Sequence, residues 1–164
     1  RPEGNLMQVY LVQHGEAKPE AEDPARPLTD RGRDEVRRVA RHAAAVGVQV
    51  AEIRHSGKLR ARQTAEILAE HLAPSRGVRE LGGLAPADEP GTARAEIEAA
   101  RDPVMLVGHL PHLGRLASSL LVGHPGREIV RFRMGAIVCL ADVESRWLLQ
   151  WILTPELARP GPPA

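Results

Sequence analysis

Several residue types are scarce in this sequence, and each shortage excludes a class of protein. One of the 164 residues is cysteine, so no disulfide forms within the chain. Aromatic residues make up 2% of the chain, too few for the stacking surfaces that hold single-stranded nucleic acids. No apolar stretch approaches the roughly 20 residues of a transmembrane helix, and no signal peptide is visible. The 22 basic residues are balanced by 21 acidic ones, which leaves no basic stripe for a nucleic acid. We therefore expect a cytoplasmic protein that binds neither nucleic acid nor membrane.

The hydrophobic residues that are present suffice for one folded domain. They make up 43% of the chain, and with so few aromatics the core must consist of Leu, Val, Ile and Ala. No low-complexity block or internal repeat divides the sequence. We predict one domain over residues 7–154, preceded by extra sequence at 1–6. The Pro-rich residues 155–164 are predicted to form a frayed tail.

Strand and helix signals alternate along the chain, which is typical of an α/β domain. Thr29 is a good N-cap for a helix that begins at Asp30 and ends before Gly47. The apolar run Pro103–Gly108 suits a parallel strand covered on both faces. We predict a single-domain α/β fold with a largely parallel central sheet flanked by helices on both faces. Its strands are predicted at Gln8–Val12, Glu52–Ser56, Val78–Leu81, Pro103–Gly108, Val130–Ala141 and Arg146–Leu153, and its other helices at Lys58–Ala73, from a cap at Thr92 to Ala100, and at His112–Val122.

Two of the predicted strands end in a histidine. Leu11-Val12-Gln13-His14 is similar to Leu106-Val107-Gly108-His109, and α/β sheets bind ligands at the edge formed by the carboxyl ends of their strands. A single histidine at a strand end is ordinarily structural, but two in matching contexts favour a functional site. Gly15, which follows His14, would let the backbone approach a ligand closely.

Arginine, histidine and cysteine residues elsewhere in the sequence also bear on its chemistry. Arg60 begins a helix, where free N–H groups favour anions, whereas Arg62 points to another face and fits a surface role. His109 and His112 are three residues apart, but no carboxylate or cysteine joins them at a ligand spacing, so we expect no metal. Cys139 lies in an apolar run, which predicts a buried structural thiol.

Taken together, these segments resemble a known family. The strand followed by His-Gly-Glu, the segment Ser56–Glu66 and the later Leu106–His109 look like the histidine phosphatase superfamily. The segments Arg26–Gly32 and Gly108–Leu116, and the short length, are similar to its smallest branch, the SixA-type phosphohistidine phosphatases. The resemblance covers residues 7–153.

The resemblance implies a mechanism. His14 attacks phosphorus and becomes transiently phosphorylated, while Arg60 and a protonated His109 hold the phosphoryl oxygens. No metal or other cofactor is needed if these two groups supply the positive charge. The first motif of the family has an arginine where this chain has Gln13, which makes Gln13 a substrate-binding residue. Because Gln13 keeps N–H donors but carries no charge, we expect a slow enzyme.

The substrate and the general acid are less sharply defined by the sequence. The short loop Gly82–Pro90 offers no cap over the site, and an uncapped crevice suits a phosphate displayed on a protein. We predict a histidine-phosphorylated signalling or phosphotransfer protein as the partner. Glu80 and Glu16 are the nearest candidates for the general acid. Because imidazole is a good leaving group, the reaction can also proceed with no residue in that role. The alternatives are a small-molecule phosphomonoesterase with the same site, and a poorly catalytic phosphate- or phosphoprotein-binding module, which Gln13 favours.

Overall fold

A computed structural model describes residues 6–158 and shows a six-stranded sheet with four helices over that range. The predictions for residues 1–5 and 159–164 lie outside the described residues. In chain order the elements are β1 (Met7–Gln13), α1 (Asp30–Ala45), β2 (Glu52–His55), α2 (Leu59–Leu72), β3 (Val78–Glu80), α3 (Pro90–Ala99), β4 (Val104–Gly108), α4 (His112–Val122), β5 (Ile137–Val143) and β6 (Arg146–Leu153).

The strand order in the sheet is β3-β2-β4-β1-β5-β6. The first four strands of this order are parallel, and β5 and β6 are antiparallel to their neighbours. β1 and β4 pair in register, with Gln13 opposite Gly108. The parallel strands therefore end together at one edge, and the predicted, largely parallel α/β sheet is confirmed.

Helices cover both faces of the sheet. One core cluster joins α1 and α2 to residues such as Tyr10, Val12 and Met105, and a second joins α3 and α4 to residues such as Leu11 and Leu106. Successive residues of a strand point to opposite faces, so a strand buried on both faces must be apolar throughout. This explains the uninterrupted apolar runs that end at the two histidines.

The structure corrects three predicted boundaries. α3 begins at Pro90 rather than after a cap at Thr92, because proline is already set in a helical φ and suits the first turn. Residues 130–136 are a loop that precedes β5, although Val130 and Phe132 are buried between exposed arginines in a strand-like alternation. This loop makes one bridge to β1 instead of a ladder.

The third correction concerns the tail, whose first residues are packed rather than frayed. Pro155 and Ala158 are buried, the Ala158 amide donates to the Thr154 carbonyl at 3.1 Å, and Ala158 belongs to the α1–α2 core cluster. The predicted burial of Cys139 is confirmed. Within residues 6–158, no helix is both long and apolar enough to cross a membrane.

Candidate active site

The two strand-end histidines lie side by side at the carboxyl edge of the sheet. β1 and β4 are neighbours, and the backbone N–H of His14 donates to the Gly108 carbonyl at 3.1 Å, just before His109. The ring centroids of His14 and His109 are 5.0 Å apart, with 52° between the ring planes. The structure thus brings together the pair that the sequence pattern singled out.

The hydrogen bonding of His14 fixes its tautomer. Its Nδ1 lies 2.7 Å from the Gly15 carbonyl oxygen, and a carbonyl only accepts, so Nδ1 carries the proton and Nε2 keeps its lone pair. Burial lowers the pKa of His14 to about 4, and the charges of Arg60 and Arg26 act in the same direction. His14 is therefore a neutral imidazole at pH 7, the form that a nucleophilic histidine requires.

Burial also favours the neutral form of His109. The protonated imidazole that the resemblance implies, with phosphoryl oxygens bound, stays a prediction. His109 is 2% exposed, and burial followed by the influence of His14 and Arg60 lowers its pKa to about 3. Its Nε2 lies 2.6 Å from the Ser56 hydroxyl oxygen, while its Nδ1 is buried without a hydrogen bond in the described part of the chain. Burial and neighbouring positive charge both oppose protonation. His109 thus offers a hydrogen bond, not a fixed charge, until an anion binds.

Arg60 lies at the start of α2, and its charge lowers the pKa of both histidines. The Thr64 hydroxyl bonds both the Arg60 carbonyl and the Gly15 amide, which ties this helical turn to the strand end that carries His14. The Nε of Arg60 is buried and has no hydrogen-bond partner within residues 6–158. Arg62, by contrast, is exposed and pairs with Glu66 at 3.5 Å. The two arginines on this turn of helix thus differ in their surroundings, and the role of Arg60 in the site stays a prediction.

Gln13 lies at the border of this histidine cluster. It is the last residue of β1 and directly precedes His14. It lines a cleft of about 360 Å³, here called the Gln13 cleft, whose walls include Gln13, Glu16, Leu110, Arg131, Arg133 and Met134. The Gly135 amide donates to the Gln13 carbonyl at 2.9 Å, which fixes the loop of residues 130–136 beside the site.

The two candidate general acids lie on different parts of the chain, Glu80 on β3 and Glu16 in the loop between β1 and α1. Glu80 is exposed on β3, and its carboxylate fills the space over Gly57, where a Cβ would collide with it. Glu16 accepts a hydrogen bond from the Thr29 hydroxyl at 2.9 Å and borders the Gln13 cleft. Neither carboxylate hydrogen-bonds to a site histidine or to Arg60 in the described chain, so the geometry leaves the acid open.

Two residues that the sequence did not single out hold the candidate site residues in place. Thr64 is fully buried on α2; its hydroxyl accepts from the Gly15 amide at 3.0 Å and donates to the Arg60 carbonyl at 2.8 Å. It therefore joins the strand end that carries His14 to the helical turn that carries Arg60. Ser56, at the end of β2, holds His109. Threonine and serine are common in helices and turns, so only the tertiary contacts distinguish these two.

The structure gives Gly15 a role in packing. A Cβ at this position would lie 2.8 Å from Val36 Cγ2 and 3.2 Å from the Gly32 carbonyl oxygen. The missing side chain thus lets α1 pack against the strand end. The close approach of a ligand to the backbone at Gly15 stays a prediction.

A metal would need more ligands than His109 and His112 provide. His112 is buried on α4 with neither ring nitrogen hydrogen-bonded, and burial lowers its pKa. Across residues 6–158, no group of three or more His, Cys, Asp or Glu side chains could hold a metal ion.

The chain is similar in sequence to a known family and to known proteins. The family model of the histidine phosphatase superfamily, branch 1, matches residues 9–101, a span that includes His14 and Arg60. The phosphohistidine phosphatase SixA of Escherichia coli K12 is 30% identical over 155 residues, covering 91% of this chain and 94% of its own. An uncharacterized protein of Picosynechococcus is 36% identical, covering 90% of this chain and 99% of its own.

A solved structure of the protein histidine phosphatase SixA in complex with tungstate superimposes with a TM-score of 0.82 at 30% identity. It covers 93% of this chain and 100% of the SixA chain. This similarity extends beyond the segment matched by the family model and so includes the strand that ends at His109. The chain belongs to the histidine phosphatase superfamily, in its SixA-type branch.

Proposed function

We propose that this phosphatase hydrolyses phosphohistidine on a protein through a covalent intermediate on His14. The observation that carries the proposal is the state of His14: a buried, neutral imidazole whose Nδ1 is held by a carbonyl, beside a second histidine and an arginine. Such a nucleophile needs no base to remove a proton before it attacks.

The reaction has two displacements. The Nε2 lone pair of His14 attacks phosphorus and the phosphorus–nitrogen bond of the substrate breaks. The substrate imidazole, already protonated on its other ring nitrogen, takes the bond's electron pair and leaves as neutral imidazole. A water molecule then attacks the phosphoryl group on His14, releasing inorganic phosphate and the neutral histidine. In such transfers the protein mainly positions the groups and neutralises charge on the equatorial oxygens. Arg60 supplies a permanent charge, and His109, oriented by Ser56, supplies a hydrogen bond that a bound dianion strengthens by raising the pKa of His109.

The surroundings of the site support a protein substrate. Leu110 directly follows His109 and is 41% exposed, as is Met134 on the facing loop. Both border the Gln13 cleft, together with Arg131 and Arg133, which have no ion pair within the described residues. Glu16 and Glu35 line the same cleft, so exposed apolar side chains lie next to charges of both signs. Such a surface suits a protein better than a small metabolite. Two relatives, named phosphohistidine phosphatase and protein histidine phosphatase, also support a histidine-phosphorylated protein as the substrate.

On this proposal the partner is a histidine-phosphorylated signalling or phosphotransfer protein, and catalysis proceeds without a metal. The cytoplasmic location inferred from composition stays a prediction. Gln13 lowers the rate because a neutral amide replaces a cation, and charge-assisted hydrogen bonds are roughly twice as strong as neutral ones.

The test is to trap the intermediate. The protein is mixed with the small donor phosphoramidate, quenched in alkali, which preserves phosphohistidine, and mapped by mass spectrometry. We expect one phosphoryl group on His14 in the wild type and none in His14→Ala. His71→Ala, which changes a histidine on α2 whose side chain makes no hydrogen bond with another described residue, is the matched control and should retain the phosphoryl group on His14. Turnover by His14→Ala near the wild-type rate would refute the covalent mechanism.

A second function is favoured by one observation, the neutral Gln13 at a position next to the nucleophile. On that alternative the protein binds phosphorylated protein without turning it over. It predicts phosphate binding with no labelling of His14 and no release of phosphate. The remaining alternative is a small-molecule phosphomonoesterase. A panel of phosphohistidine proteins and small phosphomonoesters, assayed side by side, distinguishes it from a phosphohistidine phosphatase.

A further inference from the structure

Residues 129–134, here called the 129–134 strip, lie between α4 and β5 and alternate between buried and exposed. Val130 and Phe132 are 4% and 7% exposed and belong to the core cluster of α3 and α4. Ile129, Arg131 and Arg133 are exposed. A period of two is that of an extended chain, so the strip presents one outward row of side chains, an isoleucine and two arginines.

The strip is attached to the strand that carries the nucleophile. Met134 forms a parallel bridge with Gln13, and the Gly135 amide donates to the Gln13 carbonyl at 2.9 Å. Gln13 directly precedes His14, and both arginines of the strip line the Gln13 cleft. A chain that lies along the strip therefore reaches the site at the Met134 end.

The backbone of the strip has no ladder partner. None of the N–H groups of residues 129–133 donates a backbone hydrogen bond within residues 6–158. Unpaired backbone groups of an extended segment are what an exposed sheet edge offers to an added strand. The strip is thus suited to an extended peptide, which would supply the missing partners.

The outward side chains of the strip carry unbalanced positive charge. Its two arginines make no ion pair within the described residues. The carboxylates that line the same cleft act on Arg31 instead: Glu35 accepts from its Nε at 2.8 Å, and Glu35, Glu16 and Glu156 all raise its pKa. The charge left free is complementary to acidic side chains two residues apart on an extended partner.

We propose that the 129–134 strip is the docking surface for the phosphohistidine protein and binds an extended, acidic segment of that protein beside its phosphohistidine. The inference rests on the proposed phosphatase function and names the partner that the site accepts. The segment pairs its backbone with the strip, and two of its acidic side chains, one residue apart in the order acid-any-acid, pair with Arg131 and Arg133. In such a mode the main-chain hydrogen bonds provide affinity and the side chains provide selectivity.

The first test compares a small donor with phosphorylated peptides. Two synthetic peptides each carry one histidine, phosphorylated with phosphoramidate, next to Glu-x-Glu in one and Gln-x-Gln in the other. The double variant Arg131→Glu with Arg133→Glu should lower kcat/KM on the Glu peptide at least about tenfold more than on phosphoramidate, because like charges then face each other. A Lys-x-Lys peptide should recover the loss. Arg41→Glu, a change to an exposed arginine on α1, is the matched control and should show no difference between peptide and phosphoramidate.

The second test addresses the backbone and does not depend on turnover. Residues of a paired strand alternate between hydrogen-bonded and non-hydrogen-bonded positions. N-methylation of one alternate set of residues in the unphosphorylated Glu peptide should therefore weaken binding, measured by fluorescence anisotropy, and methylation of the other set should not. Equal effects of the two sets would overturn the extended mode of binding.

The outcomes separate the strip from the phosphatase function. If the wild type hydrolyses phosphoramidate and labels His14, but the double variant loses no more activity on the Glu peptide than on phosphoramidate, the strip is overturned and the function stands. If the wild type labels no histidine, the proposed function fails; Glu-peptide binding that the double variant loses would still support the strip, and unchanged binding would overturn it. A dimer that forms in the wild type and not in the double variant, seen by analytical ultracentrifugation, would assign the strip to a second copy of the chain and overturn the proposal.

Discussion

Thr64→Val tests whether the buried hydroxyl on α2 holds the nucleophile in place. The substitution keeps the shape of the side chain but removes its hydrogen bonds to the Gly15 amide and the Arg60 carbonyl. The Arg60 carbonyl keeps its helical partner, whereas the buried Gly15 N–H is left without one. An unsatisfied buried donor costs about 1–3 kcal/mol. For a chain of this size the melting temperature should fall by about 2–10 °C.

The effect on catalysis should exceed the effect on folding. Gly15 follows His14 directly and accepts its Nδ1–H, so a displaced Gly15 shifts the ring relative to Arg60. Misplacement by about 1 Å can cost about 10² in rate. We expect kcat on phosphoramidate to fall by roughly that factor, with KM changed little, because the charges that bind the substrate remain.

The assay compares Thr64→Val with two variants, at a temperature where all are folded. Thr64→Ser retains the hydroxyl and should restore most of kcat. Ser118→Ala removes a buried hydroxyl on α4 that has no hydrogen-bond partner among the described residues, and should change neither kcat nor stability. If Thr64→Val loses stability but keeps kcat within twofold, or if Thr64→Ser fails to recover it, Thr64 does not position the nucleophile.

Four further predictions concern the charges of the site. Gln13→Arg should raise kcat/KM on phosphoramidate by roughly tenfold; an unchanged or lower rate would show that Gln13 does not occupy the place of a phosphate-binding arginine. Activity should survive EDTA, and a loss that Zn²⁺ restores would favour a metal at His109 and His112. Because burial lowers the pKa of His14 to about 4 and that of His109 to about 3, kcat/KM corrected for acid hydrolysis should fall only near pH 4, and a decline centred at 6.5 would contradict a neutral, buried nucleophile. The unfolded chain takes up these protons first, so the urea-measured free energy of unfolding should decrease as the pH falls from about 6.5 towards 4.

The sequence alone determined the fold class and the edge at which the site lies. Apolar runs without polar alternation require strands buried on both faces, and helical periodicity between them requires a crossover, so parallel strands follow. Placing a histidine after each of two such runs brings both to the carboxyl edge. The sequence therefore identifies His14, Arg60 and His109 as candidate site residues, because their positions depend on local pattern and on one general rule of topology.

Only the tertiary structure decided what these residues are attached to and how they are charged. The neutral state of His109 depends on burial and on Arg60, which is distant in sequence, and no local pattern reports desolvation. Thr64 and Ser56 reach the site through hydrogen bonds between different elements at the sheet edge. The same limit explains the misplaced start of β5: residues 130–136 alternate like a strand, but a strand needs a ladder partner, and the fold gives this segment a single bridge.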